Sequence, residues 1–341
     1  MELDIRKQKI LKAIIEEYNA TGEPVGSKRI CSLLDVAVSP ATVRNDMATL
    51  FERGLLEQPY TSAGRVPSHL GYRYYLNNLL AEGFVASREQ ADIEAMFNVV
   101  NPDPDRLLAD AALVLANFTR CVTIFSTNTP KSVCVKRVEL IPATETTVVI
   151  MVIASNGVIK NKVCRVRFQV SPRICEFFTS YANSRLSGKS LNEITSSYIH
   201  SVANGMEEYA KMFDSLLIAI YELCKEINDG QFYIRGETNL LSYKELKEDA
   251  GDLLILLDKK QQVLDLIPKE PFEIKVTVGK ENNRMELSNS SVLFVKYKIG
   301  EEQCGTIGVI GPVRLNYAKL IAHTRYFAHT LGELLTDTLN H

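Results

Sequence analysis

Side chains able to recognise hydrogen-bonding edges lie close together in the segment SPATVRNDM, residues 39–47. An arginine such as Arg44 can donate two parallel hydrogen bonds to the acceptor edge of a guanine, and Asn45 can form two hydrogen bonds with an adenine. The methyl group of Thr42 can contact the methyl group of a thymine. The chemistry expected here is recognition of base edges, with a solvated polar helix face as the alternative.

Catalytic and metal-binding patterns do not stand out in the rest of the sequence. The 5 histidines are dispersed and the 7 cysteines never form a CxxC pair, whereas a zinc site needs clustered ligands. No GK[ST] motif occurs, and GTIGVIGP, residues 305–312, lacks the GxGxxG pattern of a strand-to-helix turn. We predict no enzymatic activity, no metal and no cofactor. A small-ligand site at 279–283 or 305–312 stays an alternative to a structural role for these glycines.

The charge of the chain must act locally if it is to bind a polyanion. The net charge is −2 over 341 residues, so no field of the whole protein would attract nucleic acid. Between Lys28 and Arg73 there are 6 basic and 4 acidic residues. Since this excess supports only a few phosphate contacts, a dimer would be needed to double them.

Composition and cysteine usage favour a cytoplasmic protein with no membrane partner. No apolar run approaches the roughly 18 residues that a spanning helix needs, and the first residues, MELDIRKQKIL, do not resemble a secretory signal. Scattered cysteines in an odd number are typical of reduced thiols in a cytosolic chain.

Local signals place the opening segment on the second helix of a helix-turn-helix. Apolar spacing predicts a helix over 4–19, and the break TGEPVGS supplies Ser27 as the N-cap of a short helix over 28–34. Ser39 then caps the next helix, with Pro40 at its first position, where a missing N–H costs nothing. Gly54 is expected to end this helix in the left-handed conformation.

The helix that begins after Ser39 has two faces of different character. Val43, Met47 and Leu50 share the face expected to be buried, with Phe51 at its edge. Small side chains on the other face let a backbone approach base pairs, and the Ser-Pro start leaves N–H groups free for a phosphate. That face consists of Ala41, Thr42, Asn45, Ala48 and Thr49, with Arg44 on one flank.

A strand, a polar and basic loop, and a second strand follow this helix and predict a wing. LLEQPY forms the first strand, TSAGR the loop, and Val66-Pro67 begins the return. Ser68 then caps a helix rich in tyrosine and leucine. The predicted DNA-binding residues on these elements are Ser27, Lys28, Ser39, Ala41, Thr42, Arg44, Asn45, Thr49, Thr61, Ser62, Gly64, Arg65, Tyr72 and Arg73.

Three segments of the chain resemble the HrcA family of heat-inducible transcription repressors. They are GEPVGSKRI, SPATVRNDMATLFERGLLEQPYTSAGRVPSHLGYRYY and, far downstream, GTIGVIGPVRLNYAKLI. A generic winged helix would account for residues 39–54 but not for TSAGR-V-P followed by GYRYY. The chain departs from the family pattern at Ser68-His69-Leu70 and at Leu315-Asn316, and neither site lies on the helix predicted to contact bases.

The resemblance implies an α+β protein with three parts. These are an N-terminal winged helix-turn-helix DNA-binding domain at 1–80, a GAF-like α/β domain in two parts at 81–168 and 233–341, and an inserted helical dimerisation segment at 169–232. It also implies repression of heat-shock (chaperone) operons by a homodimer bound to an inverted-repeat operator of double-stranded DNA. A chaperonin would assist folding to the active state, so that heat stress relieves repression.

The pattern downstream agrees with an insertion between two sheet-forming regions. Residues 81–120 are predicted helical, strands are predicted at 121–126, 133–141, 147–153 and 158–168, helices between 171 and 228, strands at 274–278, 292–297 and 306–310, and a final helix from Gly311-Pro312. An ordinary helical part of one core is the alternative. The predicted dimer-interface anchors, which could equally be core residues, are Phe177, Phe178, Tyr181 and Phe213.

Two functions of different class follow from these patterns. A dimeric DNA-binding repressor should lose affinity for DNA steeply as salt rises, because binding releases counterions. A GAF-type sensor or enzyme whose winged helix binds protein or RNA should instead bind a small molecule and lack salt-sensitive DNA affinity.

Overall fold

Helices and strands follow one another along the chain, of which the computed structural model describes residues 3–35, 38–60, 63–81, 83–97, 104–206, 209–299 and 302–340. The helices are α1 (Ile5–Thr21), α2 (Ser27–Leu33), α3 (Pro40–Glu52), α4 (His69–Asn78), α5 (Ser87–Met96), α6 (Pro104–Thr119), α7 (Pro172–Leu186), α8 (Ser196–Asn204), α9 (Ala210–Asn228), α10 (Ala250–Asp258), α11 (Lys260–Leu264) and α12 (Tyr317–Asn340). The strands are β1 (Leu56–Glu57), β2 (Val66–Pro67), β3 (Val122–Thr127), β4 (Val135–Thr144), β5 (Thr147–Ala154), β6 (Ile159–Arg165), β7 (Phe232–Arg235), β8 (Ile274–Val278), β9 (Ser290–Ile299) and β10 (Glu302–Pro312).

Contacts divide the chain into two units. The first unit comprises Met1–Phe125, Tyr233–Tyr297 and Thr306–Gly332. The second unit comprises Ser126–Phe232, Lys298–Gly305 and Glu333–His341. Most of the second unit is therefore one internal segment of the chain, which fits the mixed α/β protein with an insertion that the sequence predicts.

Helices α1 and α3 form because each places an apolar face between strong start and stop signals. The carboxylate of Asp4 accepts a hydrogen bond from the Lys7 N–H at 2.9 Å and caps α1, and Gly22 ends the helix with a φ of 71°. The apolar faces of the two helices meet in one core, where Ile10 and Leu50 are fully buried. The helices predicted over 4–19, over 28–34 and from Pro40 to Gly54 are confirmed.

The start of α2 differs from the prediction. Ser27 is the first residue of the helix rather than its N-cap, because the extended residue is Gly26, with φ −93° and ψ 153°. The carbonyl of Gly26 accepts the first helical hydrogen bond, from the Ile30 N–H at 3.2 Å. No side-chain hydrogen bond caps this helix.

Strands β1 and β2 pair antiparallel through Leu56 with Pro67 and Glu57 with Val66. A further bridge extends this hairpin to the segment between α1 and α2, where Val25 and Arg65 exchange both backbone hydrogen bonds at 2.9 Å. Helix α4 follows directly. Its N-cap is Ser68, as predicted, whose hydroxyl accepts from the Gly71 N–H at 3.0 Å.

The rest of the first unit is built on a five-stranded sheet with the order β7-β3-β10-β9-β8. The strands predicted at 121–126, 274–278, 292–297 and 306–310 are confirmed, with ends shifted by a few residues. The prediction that Gly311-Pro312 starts the last helix is wrong, since both residues belong to β10. Helix α12 begins after Asn316, whose side chain accepts from the Lys319 N–H at 3.1 Å.

The sequence patterns missed β7, α10 and α11. Strand β7 has only four residues, and all are half-buried, so it lacks the alternation that marks a strand. Helix α10 is apolar on several sides, with the sequence AGDLLILLD, so no single polar face marks its period.

The second unit combines a three-stranded antiparallel sheet, in the order β4-β5-β6, with α7, α8 and α9. Alternate residues of β5, from Val148 to Ala154, are fully buried and share one core with the helices. The predicted hairpin turn at Asn156-Gly157 joins β5 to β6, with Gly157 at φ 82°. The expected boundary between 168 and 169 lies inside this unit, because the core unites its strands and helices.

Side chains of α7 cover the outer edge of β4. The side chain of Asn183 accepts from the Val138 N–H at 2.8 Å and donates to the Val138 carbonyl at 2.7 Å. The hydroxyl of Thr179 accepts from the Leu140 N–H at 3.3 Å. These contacts satisfy backbone groups that an edge strand would otherwise expose for pairing.

The described cysteine side chains are free thiols, and burial raises the pKa of Cys121 to about 11 and of Cys224 to about 12. Within the described residues, no three His, Cys, Asp or Glu side chains are grouped closely enough to hold a metal ion. In the same residue ranges, no helix combines the length and apolar character that crossing a bilayer requires.

A candidate nucleic-acid interface

The N-terminus of α3 is capped and open to solvent. The Ser39 hydroxyl accepts from the Thr42 N–H at 3.1 Å and lies 2.9 Å from the Thr42 hydroxyl. Pro40 occupies the first helical position, so one unpaired donor is removed from the helix start. The remaining first-turn N–H groups and the positive end of the helix dipole suit an anion such as a phosphate.

The two predicted faces of α3 are present in the structure. Val43 and Leu50 are fully buried and Met47 is nearly so. Arg44 and Asn45 are exposed, as are Ala41 and Ala48, while Thr42 and Thr49 are partly exposed. The Thr49 hydroxyl donates to the Asn45 carbonyl one turn earlier, at 3.2 Å, so it is already used within the helix.

Asp46 is a functional residue of α3 that the sequence patterns missed. Its side chain is only 6% exposed and accepts from the Arg6 guanidinium on α1 at 2.7 Å and 3.2 Å. The Lys7 ammonium lies 3.5 Å away. These ion pairs hold α1 against α3 and neutralise the Asp46 carboxylate on the side of α3 opposite its polar face. The available signal was its spacing, because Asp46 follows Val43 by three residues and so lies on the buried face.

The loop between β1 and β2 is held against the end of α3. The Arg65 guanidinium lies 4.8 Å from the centre of the Phe51 ring, a cation–π geometry. Gly64 is required by close approach, since a Cβ there would lie 2.5 Å from the Val25 carbonyl oxygen. Thr61 and Ser62, also predicted to bind DNA, lie outside the described residues.

The basic residues near α2 divide into one exposed and one paired side chain. Lys28 is exposed and Ser27 is half-buried on the first turn of α2. Arg29 bonds the Glu17 carboxylate at 2.8 Å and 3.1 Å. Lys28, Arg44 and Arg65 therefore provide the positive charge around the polar face, with Asp46 neutralised behind it.

Tyr72 and Arg73, predicted to contact DNA, are engaged elsewhere. Tyr72 is buried, its hydroxyl donates to the Asn19 side chain at 2.6 Å, and burial raises its pKa well above the ordinary value. Arg73 donates to the Glu281 carboxylate at 2.8 Å and to the Val276 carbonyl at 2.8 Å. Tyr72 is therefore removed from the surface, whereas the Arg73 side chain is paired but stays 28% exposed.

The four residues predicted at a dimer interface occupy three environments in the second unit. Phe178 and Phe213 are buried in its core, with ring centroids 4.9 Å apart. Tyr181 is half-buried and donates to the Val202 carbonyl at 2.8 Å. Phe177 is 45% exposed and lies against Tyr209, with ring centroids 5.3 Å apart.

A larger apolar surface of the second unit lies on the face of its sheet turned away from the core. Residues directly opposite each other in the antiparallel strands share a face. Ile141, Val149 and Val163 form one such row, and Ile153 pairs with Ile159 in another. Val163 is 66% exposed and Ile159 is 52% exposed. We call this surface the outer sheet face. The row was missed because it depends on strand register rather than on sequence spacing.

The two segments considered for a small-ligand site, 279–283 and 305–312, make contacts with a structural role. The Asn282 side-chain amide donates to the carbonyls of Gly279, Leu287 and Ser290 at 2.8–3.2 Å and accepts from Thr277. These bonds close the turn after β8 on itself. In GTIGVIGP, a Cβ at residue 308 would lie 2.7 Å from the Phe294 ring, so a glycine there permits strand packing.

Known proteins are similar to this chain over almost its whole length. A family model described as HrcA protein C terminal domain matches residues 105–321. The chain is 33% identical to the heat-inducible transcription repressor HrcA of Thermoanaerobacter pseudethanolicus, over 100% of this chain and 99% of that protein. It is 31% identical to the protein of the same name from Clostridium botulinum (strain Alaska E43 / Type E3), over 99% of both chains.

A solved structure shows the same fold. A crystal structure described as that of a hypothetical protein superposes with a TM-score of 0.70 at 24% identity, covering 99% of this chain and 100% of that one. The sequence matches define the class, a transcription repressor. The chain belongs to the HrcA family. The resemblance expected from its motifs is thereby confirmed.

Proposed function

We propose that this chain is a winged-helix repressor that binds DNA through α3, the recognition helix. The observation that carries the proposal is the exposed face of α3, where Arg44 and Asn45 stand beside small residues while the opposite face is buried. The helix order, the β1–β2 hairpin and the Val25–Arg65 bridge support a winged helix-turn-helix at 1–80. The loop between β1 and β2 is then the wing.

Each exposed residue of the recognition helix has a role set by its chemistry. Arg44 and Asn45 offer bidentate hydrogen bonds to guanine and adenine, and Ala41 and Thr42 allow a close approach to the base pairs. Phosphates bind at the capped helix start beside Ser39, at Lys28, and at the wing residue Arg65. Thr49, Gly64 and the wing residues Thr61 and Ser62 complete the proposed contact surface.

The remainder of the first unit is proposed as the GAF-like domain, and the second unit as its insertion. The strands of 133–168 share a core with α7, α8 and α9, so we place the insertion at 126–232 instead of 169–232. The GAF-like part then lies at 81–125, 233–297 and 306–332. Its proposed role is to position the winged helix.

We propose that two copies pair through the second unit and bind an inverted-repeat operator of double-stranded DNA. The outer sheet face supports this, because isoleucine and valine side chains such as Ile159 and Val163 stay exposed there while the other face forms the core. Phe177 and Tyr209 provide a second exposed apolar contact. Exposed apolar patches of this kind mark association surfaces.

The decisive experiment is a binding titration with duplex DNA carrying an inverted repeat. Arg44→Ala with Asn45→Ala is expected to cost about 1–3 kcal/mol per lost base contact and to abolish preference over scrambled DNA. The control is Arg88→Ala, which removes an exposed arginine on α5, outside the proposed contact surface. Unchanged sequence preference in the double variant would remove α3 from the interface.

Salt dependence separates the repressor from the alternative, a GAF-type sensor. The logarithm of the wild-type protein's affinity for DNA should fall linearly with the logarithm of the salt concentration, because each phosphate contact releases counterions. A salt-independent affinity, or saturable binding of a small molecule without DNA binding, would favour the sensor.

Heat control is proposed from family membership: the operators lie at chaperone operons, and chaperonin-assisted folding sets the amount of active repressor. The test is to refold the full chain with and without chaperonin and to measure operator-binding activity per folded molecule. Equal active yields under both conditions would contradict the chaperonin step.

A further inference from the structure

Arg73 joins two parts of the first unit that are far apart in sequence. It lies on α4, immediately after the proposed wing, yet its guanidinium bonds Glu281 and the Val276 carbonyl, 208 and 203 residues away. Both partners belong to β8 and the turn that follows it. The Glu281 carboxylate also accepts from the Val278 N–H at 2.9 Å, so it is fixed by the strand it follows.

Further contacts surround this ion pair and form a seam between α1 and α4 on one side and β8 and the start of α12 on the other. Tyr72 packs edge-on against Tyr317, with ring centroids 5.9 Å apart at 62°. The Asn19 side chain accepts from Tyr72 and donates to the Leu315 carbonyl at 2.7 Å. Val278 and Tyr317 are buried in the same core as α1, α3 and α4.

We propose that Arg73 is a positioning residue, which acts on DNA binding by locking α4 to β8 through Glu281 and so fixing the core that α4 shares with the recognition helix. The inference rests on the proposed DNA-binding function and names a residue outside the DNA surface that sets its affinity. A recognition helix held in one orientation loses less conformational freedom on binding, so affinity rises without a new DNA contact. Operator affinity is therefore controlled partly from the GAF-like domain.

The competing role for Arg73 is a direct phosphate contact, and the two roles make opposite predictions. A lost phosphate contact lowers the slope of log affinity against log salt by about one. A lost positioning contact weakens binding at every salt concentration and leaves that slope unchanged. The ion pair can also be rebuilt with its charges exchanged, by Arg73→Glu with Glu281→Lys. This exchange restores a contact between α4 and the turn after β8 but not a contact with phosphate.

The experiment measures operator affinity and salt slope for the full-length wild-type protein, Glu281→Lys, and the exchange variant Arg73→Glu with Glu281→Lys. Glu281→Lys sets a like charge against Arg73 and should lower affinity about five- to tenfold, at the low end of site-to-site couplings. The exchange variant should regain part of that loss with the wild-type salt slope, because it rebuilds the side-chain pair but not the bonds to the Val276 carbonyl and the Val278 N–H. Glu270→Lys makes the same charge change at an exposed position of the first unit and is the matched control.

The possible outcomes are distinct. If Glu281→Lys is folded by thermal melting and binds like Glu270→Lys, Arg73 is not a positioning residue. If the exchange variant stays weak and its salt slope drops by about one, Arg73 contacts phosphate. If the wild-type protein lacks salt-sensitive operator binding, the proposed function fails rather than this inference.

Discussion

At the scale of single residues, Asp46 stabilises the recognition helix from its buried side. A carboxylate that is 6% exposed needs partners to offset its lost hydration, and Arg6 and Lys7 provide them. These ion pairs do not involve the side chains on the exposed face of α3. Asp46 therefore supports the fold of the DNA-binding region without belonging to the DNA surface.

We expect Asp46→Ala to lower the free energy of unfolding by more than Glu52→Ala does, because Asp46 is the buried acceptor that pairs with the charges of Arg6 and Lys7. Urea unfolding followed by circular dichroism measures this change. Glu52→Ala, at an exposed acid of the same helix, is the control and should change stability by less than about 0.5 kcal/mol. Equal effects of the two substitutions would show that the Arg6–Asp46 contact adds no stability.

Residues were predictable where their signal is local. Ser39, Pro40, Gly54 and Ser68 were assigned correctly because capping and turn chemistry act within three or four residues. The partners of Asp46 and Arg73 could not be predicted, because they lie 40 and 208 residues away in sequence. A basic residue next to a wing has the same local pattern whether it binds phosphate or another domain.

At the scale of elements, the wing depends on the close approach of its loop to the segment before α2. A Cβ at Gly64 would meet the Val25 carbonyl oxygen at 2.5 Å and push apart the Val25–Arg65 bridge. Gly64→Ala is therefore expected to cost about 1–3 kcal/mol of stability, the usual cost of overpacking.

The control for this substitution is Gly251→Ala on α10, where a new Cβ meets nothing within 4 Å. Alanine is the better helix former by about 1 kcal/mol, so this variant should match or exceed wild-type stability. Thermal unfolding compares the two. A Gly64→Ala protein as stable as Gly251→Ala would show that the loop has room to move.

The stability that the seam between α4 and β8 contributes depends on pH through the pKa of Glu281. Burial by itself raises the pKa of Glu281, but hydrogen bonds from Arg73 and the Val278 N–H, with the charge of Arg73, outweigh it and hold the pKa below its ordinary 4.5. A lowered folded-state pKa gives stability that is present above the unfolded value and is lost as pH falls through the folded one.

The stability difference between wild type and Glu281→Gln should therefore be largest near neutral pH and shrink as pH falls below about 4.5. Urea midpoints measured from pH 7 to pH 3 follow this change. Glu270→Gln is the control, at an exposed position of the same unit. A difference that is constant over the whole range would place the Glu281 effect in packing rather than in charge.

At the scale of the whole molecule, the prediction of a mixed α/β protein is confirmed, while the internal insertion stays a prediction. The order of most helices and strands followed from periodicity and turns, as with the Asn156-Gly157 hairpin. The extent of the proposed insertion did not follow from the sequence, because residues 133–168 have the pattern of ordinary strands. Only tertiary packing shows that these strands share their core with α7, α8 and α9.

Pairing of two copies through the outer sheet face predicts the effect of a charge at its exposed centre. Val163→Asp should convert the dimer to a monomer in analytical ultracentrifugation. The slope of log affinity against log salt should fall to about half, since a monomer makes half of the phosphate contacts. Asn192→Asp, exposed elsewhere in the second unit, should leave both unchanged. A wild-type monomer, or a Val163→Asp dimer, would contradict this interface.

The separation of the two faces of α3 has a consequence for how such repressors diversify. The residues that hold the helix in place, Val43, Asp46, Met47 and Leu50, are buried, while Arg44 and Asn45 are exposed. Substitutions of the exposed residues therefore leave unchanged the buried contacts that stabilise the domain. Under the proposed DNA-binding role, a descendant gene or a designed variant can therefore change its target sequence in small steps while the buried contacts of the helix stay the same.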